Sequence, residues 1–436
     1  MRLVHYGNAC FSLYHQDLHI LFDPWIEGPA VAGGWASFPP SSVRMKDLPK
    51  IDYVFISHIH SDHCEPRTLE KLDRHVPIII MEREPNFLKK YLSSLNFTNL
   101  ILVPAGEPKR IDEKFSVAMF GESFGHLGSN IIDSSILFQF SDGSVVLNCN
   151  DNKPSADLCK DIKERYPRLD LALIPAGGGS GYPAMYDNFS FEQKQEISRK
   201  IVDRYAEIFV EALDILQPKV AVPVAGGFAI RGPLAESVNW VQCRRLDQAE
   251  LIDIYERKSQ VKNPTTRVLP MQPEMELDVE AKVYKKGKYH SWTADELKTH
   301  FHKLSLEKVE PLIQSEVQIK TLGRLVQGAR AQLWLKQEKN GMKPDYRIYL
   351  DVPTHPKLIE LDLHSPACTE VTRGETSLLK SPYLRMKLDQ DTLLEWLLGL
   401  EDFNMLDSGH RISFWREPID RYVQEAYFLM SLLRLA

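Results

Sequence analysis

The chain has 436 residues, which is too long for a single hydrophobic core and favours two domains. Its apolar content of 43% and its charged content of 26% are ordinary for a globular protein. The net charge of -6 argues against nonspecific nucleic-acid binding, and no apolar run is long enough to span a bilayer. The sequence therefore predicts neither a nucleic-acid partner nor a membrane partner.

The six cysteines are scattered along the chain without CxxC pairs. The chain begins with strand-like sequence and shows no signal-peptide pattern, so we expect a cytoplasmic protein with reduced thiols. No cysteine has a histidine two or three residues after it, so the sequence contains no recognisable Rieske iron–sulfur motif.

The first part of the chain alternates short apolar strands with turns. Leu18–Phe22 predicts a strand that ends at Asp23 and Pro24, and Asp23 is a candidate second-layer acceptor for a metal-binding loop. Gly28–Ser42 is rich in small residues and predicts a loop near a site. Ile51–Ser57 predicts a buried strand.

Three histidines and an aspartate follow this strand within six residues. His58 and His60 are two residues apart, so they point to the same side of extended backbone and can chelate one ion. Asp62 and His63 lie beyond a turn and can reach a second ion. A solvated histidine-rich loop is the alternative interpretation, but the strand-and-turn context favours a metal site.

Alternating strands and helices continue to about residue 268. Ser134–Leu147 predicts a hairpin, and Ser190 with Gln193 predicts a capping box before a long amphipathic helix. Pro218–Val224 predicts a buried strand. This alternation indicates an α/β fold with two sheets and helices packed outside them.

The run from His58 to His63 resembles the HxHxDH signature of the metallo-β-lactamase superfamily. The resemblance implies an αββα sandwich over residues 1–275, with metals at the edge between the sheets. It also implies His126 as the next ligand and Asp151 as the acidic bridge between two metals. A loop histidine and a surface Asx-turn are the alternatives for these two residues.

The superfamily's last histidine is missing, because the corresponding segment reads Pro223–Phe228 without one. This departure puts the usual dizinc hydrolase geometry in doubt. The second metal would be weakly held, absent, or an ion other than zinc.

A narrower resemblance is to the sialate hydroxylase-like branch of this superfamily. It rests on the N-x-N-D step in Leu147–Asp151, on Ser180–Tyr186 and on Pro223–Phe228. Members that hydroxylate N-acyl amino sugars carry a Rieske domain. The resemblance therefore implies an oxygenase that would need an external electron-transfer protein.

Three residues are candidates for substrate binding. Gly179 lies in a glycine-rich run after a strand, where backbone amides can bind an anion, although a flexible turn is equally compatible. Arg231 is a candidate partner for a phosphate or carboxylate, with a surface arginine as the alternative. Tyr182 is a candidate acid or orienting group.

The remainder of the chain predicts a separate C-terminal α+β domain over residues 290–436. The charged segment Glu274–Lys288 is the candidate linker. The domain would cover the metal site or mediate assembly, and whether the chain is a homo-oligomer stays open. Its predicted elements are helices at Thr293–Leu312, Thr392–Leu400 and Asp420–Ala436, and strands at Ala331–Leu335, Tyr346–Val352 and Lys357–Leu363.

The leading hypothesis is a metal-dependent enzyme that holds one or two divalent ions, iron or zinc, with Asp62 and Asp151 as its catalytic carboxylates. Its small-molecule substrate would be an N-acyl or phosphorylated sugar, free or nucleotide-linked. The first alternative is a dinuclear zinc hydrolase of amide or phosphodiester bonds, in which Asp62 orients the attacking hydroxide. The second is a non-catalytic binding protein with a degenerate metal site.

Overall fold

A computed structural model describes residues 1–121, 132–242, 247–262, 264–313, 319–374 and 379–435. An eight-stranded sheet forms its first layer, in the order β17-β16-β1-β2-β3-β5-β6-β7. Its strands are β1 (Arg2–Gly7), β2 (Cys10–His15), β3 (Leu18–Phe22), β5 (Tyr53–Phe55), β6 (Ile78–Met81), β7 (Leu100–Val103), β16 (Glu276–Asp278) and β17 (Val283–Lys286). The helices on its outer face are α1 (Pro66–Glu70) and α2 (Phe87–Ser94).

A seven-stranded sheet forms the second layer, in the order β15-β13-β12-β11-β10-β9-β8. Its strands are β8 (Lys109–Arg110), β9 (Phe115–Gly121), β10 (Ser134–Phe140), β11 (Val145–Asn148), β12 (Leu171–Pro175), β13 (Val220–Val224) and β15 (Arg267–Val268). The helices of this half are α3 (Ala156–Arg165), α4 (Phe191–Leu216), α5 (Ala235–Gln242) and α6 (Glu250–Lys258). A two-stranded ribbon pairs β4 (Trp35–Ser37) with β14 (Phe228–Ile230).

The two sheets face each other across a common apolar core. Phe11 and Phe22 of the first sheet lie in one buried cluster with Phe138, Leu171 and Val222 of the second. The opposite face of each sheet is covered by helices, which form two further clusters. The predicted αββα sandwich is therefore confirmed, because each sheet buries one face against its partner and the other against helices.

Local sequence signals behave as predicted in this half. The hairpin β10–β11 forms with antiparallel register. At the start of α4, Ser190 Oγ accepts a bond from the Gln193 amide at 3.2 Å, and the Gln193 side chain accepts one from the Ser190 amide at 2.8 Å. This reciprocal pair satisfies two of the amide groups that a helix start leaves unbonded.

Parallel strand pairs determine where the loops meet. β3, β5 and β6 run parallel in the first sheet, and β11, β12 and β13 run parallel in the second. The carboxyl ends of parallel strands lie at one edge of their sheet. The loops after β3, β5, β11 and β13 therefore gather at the edge between the two sheets.

The C-terminal part has α+β composition, as predicted. Its five-stranded sheet has the order β20-β19-β18-β21-β22. The strands are β18 (Arg347–Asp351), β19 (Lys357–Asp362), β20 (Cys368–Thr372), β21 (Tyr383–Lys387) and β22 (Ser413–Glu417). The helices after residue 290 are α7 (Ala294–Ser305), α8 (Ile319–Asn340), α9 (Gln390–Leu397), α10 (Phe403–Ser408) and α11 (Gln424–Ser431).

Two predictions for this part were wrong. The predicted strand Ala331–Leu335 lies inside α8, because Val326, Ala329 and Leu333 are buried at helical spacing and a five-residue apolar run does not distinguish strand from helix. The predicted linker Glu274–Lys288 is not irregular, since it supplies β16 and β17 to the first sheet. The division into domains 1–275 and 290–436 stays a prediction.

The C-terminal sheet packs against loops of the first half. Trp35 and Phe228 lie in the same buried cluster as Leu350 and Phe414. The Trp35 indole donates to the Ser408 carbonyl at 2.7 Å. None of the helices in the described parts of the chain is long and apolar enough to cross a membrane.

Replacement of Phe414 tests this packing. The ring is fully buried and stacks on Tyr186 at 5.1 Å, whereas the neighbouring Trp415 on the same strand is 41% exposed. We expect Phe414→Ala to lower the free energy of unfolding by about 3 to 5 kcal/mol, because it leaves a cavity. Trp415→Ala should cost less than about 1 kcal/mol. Equal losses in denaturant titrations would contradict the assigned packing.

Candidate metal centre

The histidine run lies in the turn that follows β5. The amides of His63 and Cys64 both donate to the His60 carbonyl, at 2.9 and 3.1 Å, which closes a tight turn. Beyond it, the Glu65 carboxylate accepts from the amides of Arg67 and Thr68 and caps α1. A buried strand on one side and a capped helix on the other therefore hold the run in place.

Within this turn, the imidazoles and carboxylates lie close together. His58 Nε2 lies 3.0 Å from His60 Nδ1. His63 Nε2 lies 3.3 Å from Asp62 Oδ2 and also 3.3 Å from Asp151 Oδ2. The atoms of all five residues converge at the edge between the sheets.

The second sheet contributes carboxylates from two loops. Asp151 follows β11, where the Asn150 side chain donates to the Ser134 carbonyl at 2.7 Å and fixes the turn. Asp133 precedes β10, and its Oδ1 lies 3.7 Å from His58 Nε2. Ser134 Oγ donates to the Ser57 carbonyl at 2.6 Å, which ties this strand to the histidine loop.

These residues form two groups that share His58. His58, His60 and Asp133 each offer one ligand atom within 4.8 Å of the others, and so do His58, His63 and Asp151. Sharing one histidine between two groups is compatible with one ion or with two adjacent ions. Asp133 was not singled out in the sequence, although it directly precedes the predicted hairpin that begins at Ser134.

A second layer of buried groups orients these side chains. Asp23 is fully buried; its Oδ2 lies 3.2 Å from His63 Nδ1, and its Oδ1 accepts from the Ser57 amide at 2.7 Å. The Asn8 amide donates to Asp62 Oδ2 at 3.0 Å. The Asp23 carboxylate thus lies beside Nδ1 of His63, while Nε2 of the same ring faces Asp62 and Asp151; the role of Asp23 as a second-layer acceptor stays a prediction.

Burial and neighbouring charges shift the pKa values of the cluster in opposite directions. Burial lowers the pKa of His58 and of His60, which favours the neutral imidazole form that binds metals. Burial also opposes protonation of His63, but the carboxylates around it outweigh burial and raise its pKa. Burial, with the charge of Asp151 second, raises the pKa of Asp133 to about 8.

Three buried atoms of the cluster have no hydrogen-bond partner within the described part of the chain: His63 Nε2, Asp133 Oδ1 and Asp151 Oδ1. Leaving such atoms unpaired is costly unless a cation binds them. Imidazole nitrogens and carboxylate oxygens are ligands of both zinc and iron. The residues present therefore fit a divalent metal.

The structure brings together five of the six predicted ligands, namely His58, His60, Asp62, His63 and Asp151. His126 lies outside the described residues. At the place of the missing last histidine, a side chain on Gly227 would come within 2.9 Å of the Asn8 backbone nitrogen. Close backbone packing fills that position.

The predicted substrate residues have different surroundings. Gly179 and Tyr182 line a common cavity of about 170 Å³, together with Tyr205. The Arg231 guanidinium pairs with Glu307 at 2.8 Å and donates to two backbone carbonyls. Its protein contacts would have to break before Arg231 could bind a substrate, and the substrate role of all three residues stays a prediction.

Lys153 is a charged residue near the centre that was not singled out in the sequence. Its ammonium lies 4.8 Å from the centre of the Tyr205 ring. Burial opposes its charge, but Tyr205 and the carboxylates of Asp151 and Asp133 raise its pKa. A positive charge therefore persists between the carboxylate cluster and the glycine-lined cavity.

Comparison with known proteins identifies the fold family. Residues 2–225, just over half of the chain, match the family described as beta-lactamase superfamily domain. The chain belongs to this superfamily. The expected fold and family are confirmed, and the histidine cluster at the sandwich edge contains groups that could hold a metal ion.

Among curated proteins, this superfamily member resembles cytidine monophosphate-N-acetylneuraminic acid hydroxylases. It is 27% identical to that of Mus musculus over 282 residues, covering 61% of this chain and 46% of the relative. It is 29% identical to the hydroxylase of Sus scrofa over 272 residues, and the match covers 60% of this chain and 59% of the relative. The chain spans about half the length of the curated relatives it matches.

Solved structures with related folds include enzymes of two kinds. CmlA, a diiron β-hydroxylase from Streptomyces venezuelae, is 20% identical with a TM-score of 0.43, covering 62% of this chain and 52% of that one. Igni18, a metallo hydrolase from Ignicoccus hospitalis, is 20% identical with a TM-score of 0.41, and the match covers 66% of this chain and 99% of Igni18.

The raised pKa of Asp133 predicts a pH-dependent stability of the metal-free protein. Between pH 4 and about 8 the folded chain retains a proton on Asp133 that the unfolded chain loses, so stability falls as pH rises. Asparagine cannot ionise. In chelator-treated protein, the stability of Asp133→Asn relative to wild type should therefore increase from pH 5 to pH 8.

Denaturant titrations at both pH values measure this difference. The matched control is Asp157→Asn, an exposed carboxylate on α3, which should show no comparable change with pH. A difference between Asp133→Asn and wild type that is the same at pH 5 and pH 8 would contradict the assignment.

Proposed function

We propose that this chain is a metal-dependent enzyme, hydroxylase-like in its chemistry, that acts on an N-acyl or phosphorylated sugar, free or linked to a nucleotide. The observation that carries the proposal is the convergence of three imidazoles and three carboxylates, in which three buried ligand atoms have no hydrogen-bond partner among the described residues. Such a cluster is costly to bury without a cation.

The proposed ligands are His58, His60, Asp62, His63 and Asp151 from the described residues, with His126 from the sequence resemblance. The geometry adds Asp133, whose carboxylate approaches His58. When bound, a divalent ion here would supply Lewis acidity, and iron in particular would supply redox chemistry with oxygen.

Asp62 and Asp151 are the proposed catalytic carboxylates. One oxygen of Asp62 accepts from the Asn8 side chain, which limits rotation of the carboxylate and leaves its second oxygen available. Asp151 approaches His63 with one oxygen, and its other oxygen is buried with no hydrogen-bond partner in the described ranges. These two side chains would position a substrate or a water molecule at the centre.

The hydroxylase-like chemistry is supported by the curated relatives, which are named as hydroxylases of a nucleotide-linked N-acyl sugar. Hydroxylation with oxygen consumes electrons from a reductant. An external electron-transfer protein is therefore part of the proposal.

The strongest competing function is zinc-dependent hydrolysis of an amide or phosphodiester. The observation that favours it is the donor set, since three imidazoles with carboxylates suit zinc as well as they suit iron. In that case Asp62 would orient the attacking hydroxide. A non-catalytic protein with a degenerate site is the remaining alternative.

Removal of one shared ligand should release metal without unfolding the chain. His58 belongs to both groups of potential ligands, whereas His75 is exposed and belongs to neither. We expect His58→Ala to lose most of its bound metal by elemental analysis and to keep a wild-type circular dichroism spectrum, because the sandwich has its own core. His75→Ala should retain metal. Full occupancy in folded His58→Ala would exclude the assigned centre.

Anaerobic reconstitution distinguishes the two reactions. Protein loaded with Fe(II) or Zn(II) is mixed with CMP-N-acetylneuraminic acid and other N-acyl sugar nucleotides, with and without oxygen and an added reductant. The proposal predicts product only with iron, oxygen and reductant together. Turnover by the zinc form without oxygen would establish hydrolysis instead, and metal-loaded protein that is inactive throughout would favour a binding role.

A further inference from the structure

A second cavity lies beside the metal centre, on the other side of Asn8. It has a volume of about 270 Å³, close to the lower end of ligand pockets, which span about 300 to 1,000 Å³. Asn8 and Gly227 form one wall. Asn8 also donates to Asp62 and accepts from the Gly227 amide at 3.1 Å, so one side chain separates this cavity from the metal ligands.

Aromatic rings form much of the remaining wall. Phe38, Tyr289 and Trp292 all line the cavity, and the Phe38 and Trp292 rings lie 4.9 Å apart at an interplanar angle of 55°. Aromatic faces of this kind favour a flat, apolar or weakly polar ring, which can stack on them without losing hydrogen bonds.

The polar end of the cavity offers hydrogen-bond acceptors. The Tyr289 hydroxyl donates to Asp247 Oδ1 at 2.5 Å and accepts from the Gln248 amide at 3.1 Å, which fixes both residues. Gln248 Oε1 is buried and has no hydrogen-bond partner within the described residues. Such an oxygen can accept a hydrogen bond from a ligand that donates N–H groups.

Charge limits the class of ligand further. Among the described residues that line the cavity, Asp247 and Glu250 are acidic and none is a lysine or an arginine. A phosphate inside the cavity would face this negative charge with no lysine or arginine among the described lining residues to offset it, whereas a neutral ring with an amino group would need no such offset.

We propose that this cavity binds an amino-bearing nucleobase, which stacks against Trp292 and donates its amino hydrogens to Gln248 Oε1 and Asp247. This rests on the proposed function in one respect, namely that the substrate carries a nucleotide. The rest of the nucleotide would then extend past Asn8 and Gly227 toward the metal ligands.

Binding of CMP, UMP and ribose 5-phosphate tests the proposal. The first two differ chiefly in an amino group against a carbonyl oxygen, and the third lacks a base. Titration calorimetry is done on chelator-treated full-length protein, so that neither a metal nor turnover contributes. We expect CMP to bind about tenfold more tightly than UMP, because uracil would place an acceptor against an acceptor, and ribose 5-phosphate to bind most weakly.

Two variants separate stacking from amino-group recognition. Gln248→Leu should narrow the difference in affinity between CMP and UMP, because it removes an acceptor that favours the cytosine amino group and repels the uracil oxygen. Trp292→Ala should weaken both nucleotides about tenfold, since base stacking on an aromatic ring is worth about 1 to 3 kcal/mol. Gln260→Leu and Trp415→Ala, a glutamine and a tryptophan that do not line the cavity, are the matched controls and should bind as wild type does.

The proposal fails if CMP and UMP bind equally, if ribose 5-phosphate binds as tightly as CMP, or if folded Gln248→Leu prefers CMP as strongly as the wild type does. Its failure is distinguishable from that of the proposed function. Selective CMP binding by a protein that shows no turnover would reject only the enzyme, whereas iron-dependent turnover without base selectivity would reject only the nucleobase site.

Discussion

Four aspartates are buried or half-buried at one edge of the sandwich, and the architecture around them serves to hold these charges together. Asp23, Asp62, Asp133 and Asp151 come from four different loops. The protonated form of His63 offsets part of their repulsion, and burial suppresses the ionisation of Asp133. Buried like charges are costly, so a chain that gathers them must obtain a cation or retain protons.

The fold makes this gathering possible because parallel strands end at a shared edge. Each loop is then tied to the next by short bonds, such as Ser134 Oγ to the Ser57 carbonyl and the Ser57 amide to Asp23. Stiff, hydrogen-bonded loops keep ligand atoms close without metal present. Such preorganisation lowers the entropic cost of binding an ion.

The C-terminal sheet and the second cavity extend this arrangement outward. The C-terminal sheet packs on Trp35 and Tyr186 and so covers the loops that contain these two residues. Asn8 connects the metal centre to the second cavity, because its side-chain amide donates to Asp62 and the same residue lines the cavity. A ligand in that cavity would therefore contact the residue that orients a candidate catalytic carboxylate.

The sequence by itself determined the features that depend on short separations along the chain. The short segment after the buried strand contains four candidate ligands within six residues: His58, His60, Asp62 and His63. The length of the chain between them is enough to keep them close together. Most sandwich strands and helices were also recognisable, because apolar period and caps are local signals. Asp151 was named through the family resemblance, and the apolar strand that leads directly into it is in keeping with that choice.

Only the tertiary structure decided what depends on distant segments. It brought Asp133 to His58, occupied Arg231 with Glu307, and enclosed an aromatic cavity between Phe38 and Trp292. None of these pairs has a local signature. The physical reason is that the packing of sheets and helices against each other determines which side chains from distant segments meet. The apolar periodicity of the sequence shows only which face of a strand or helix is buried.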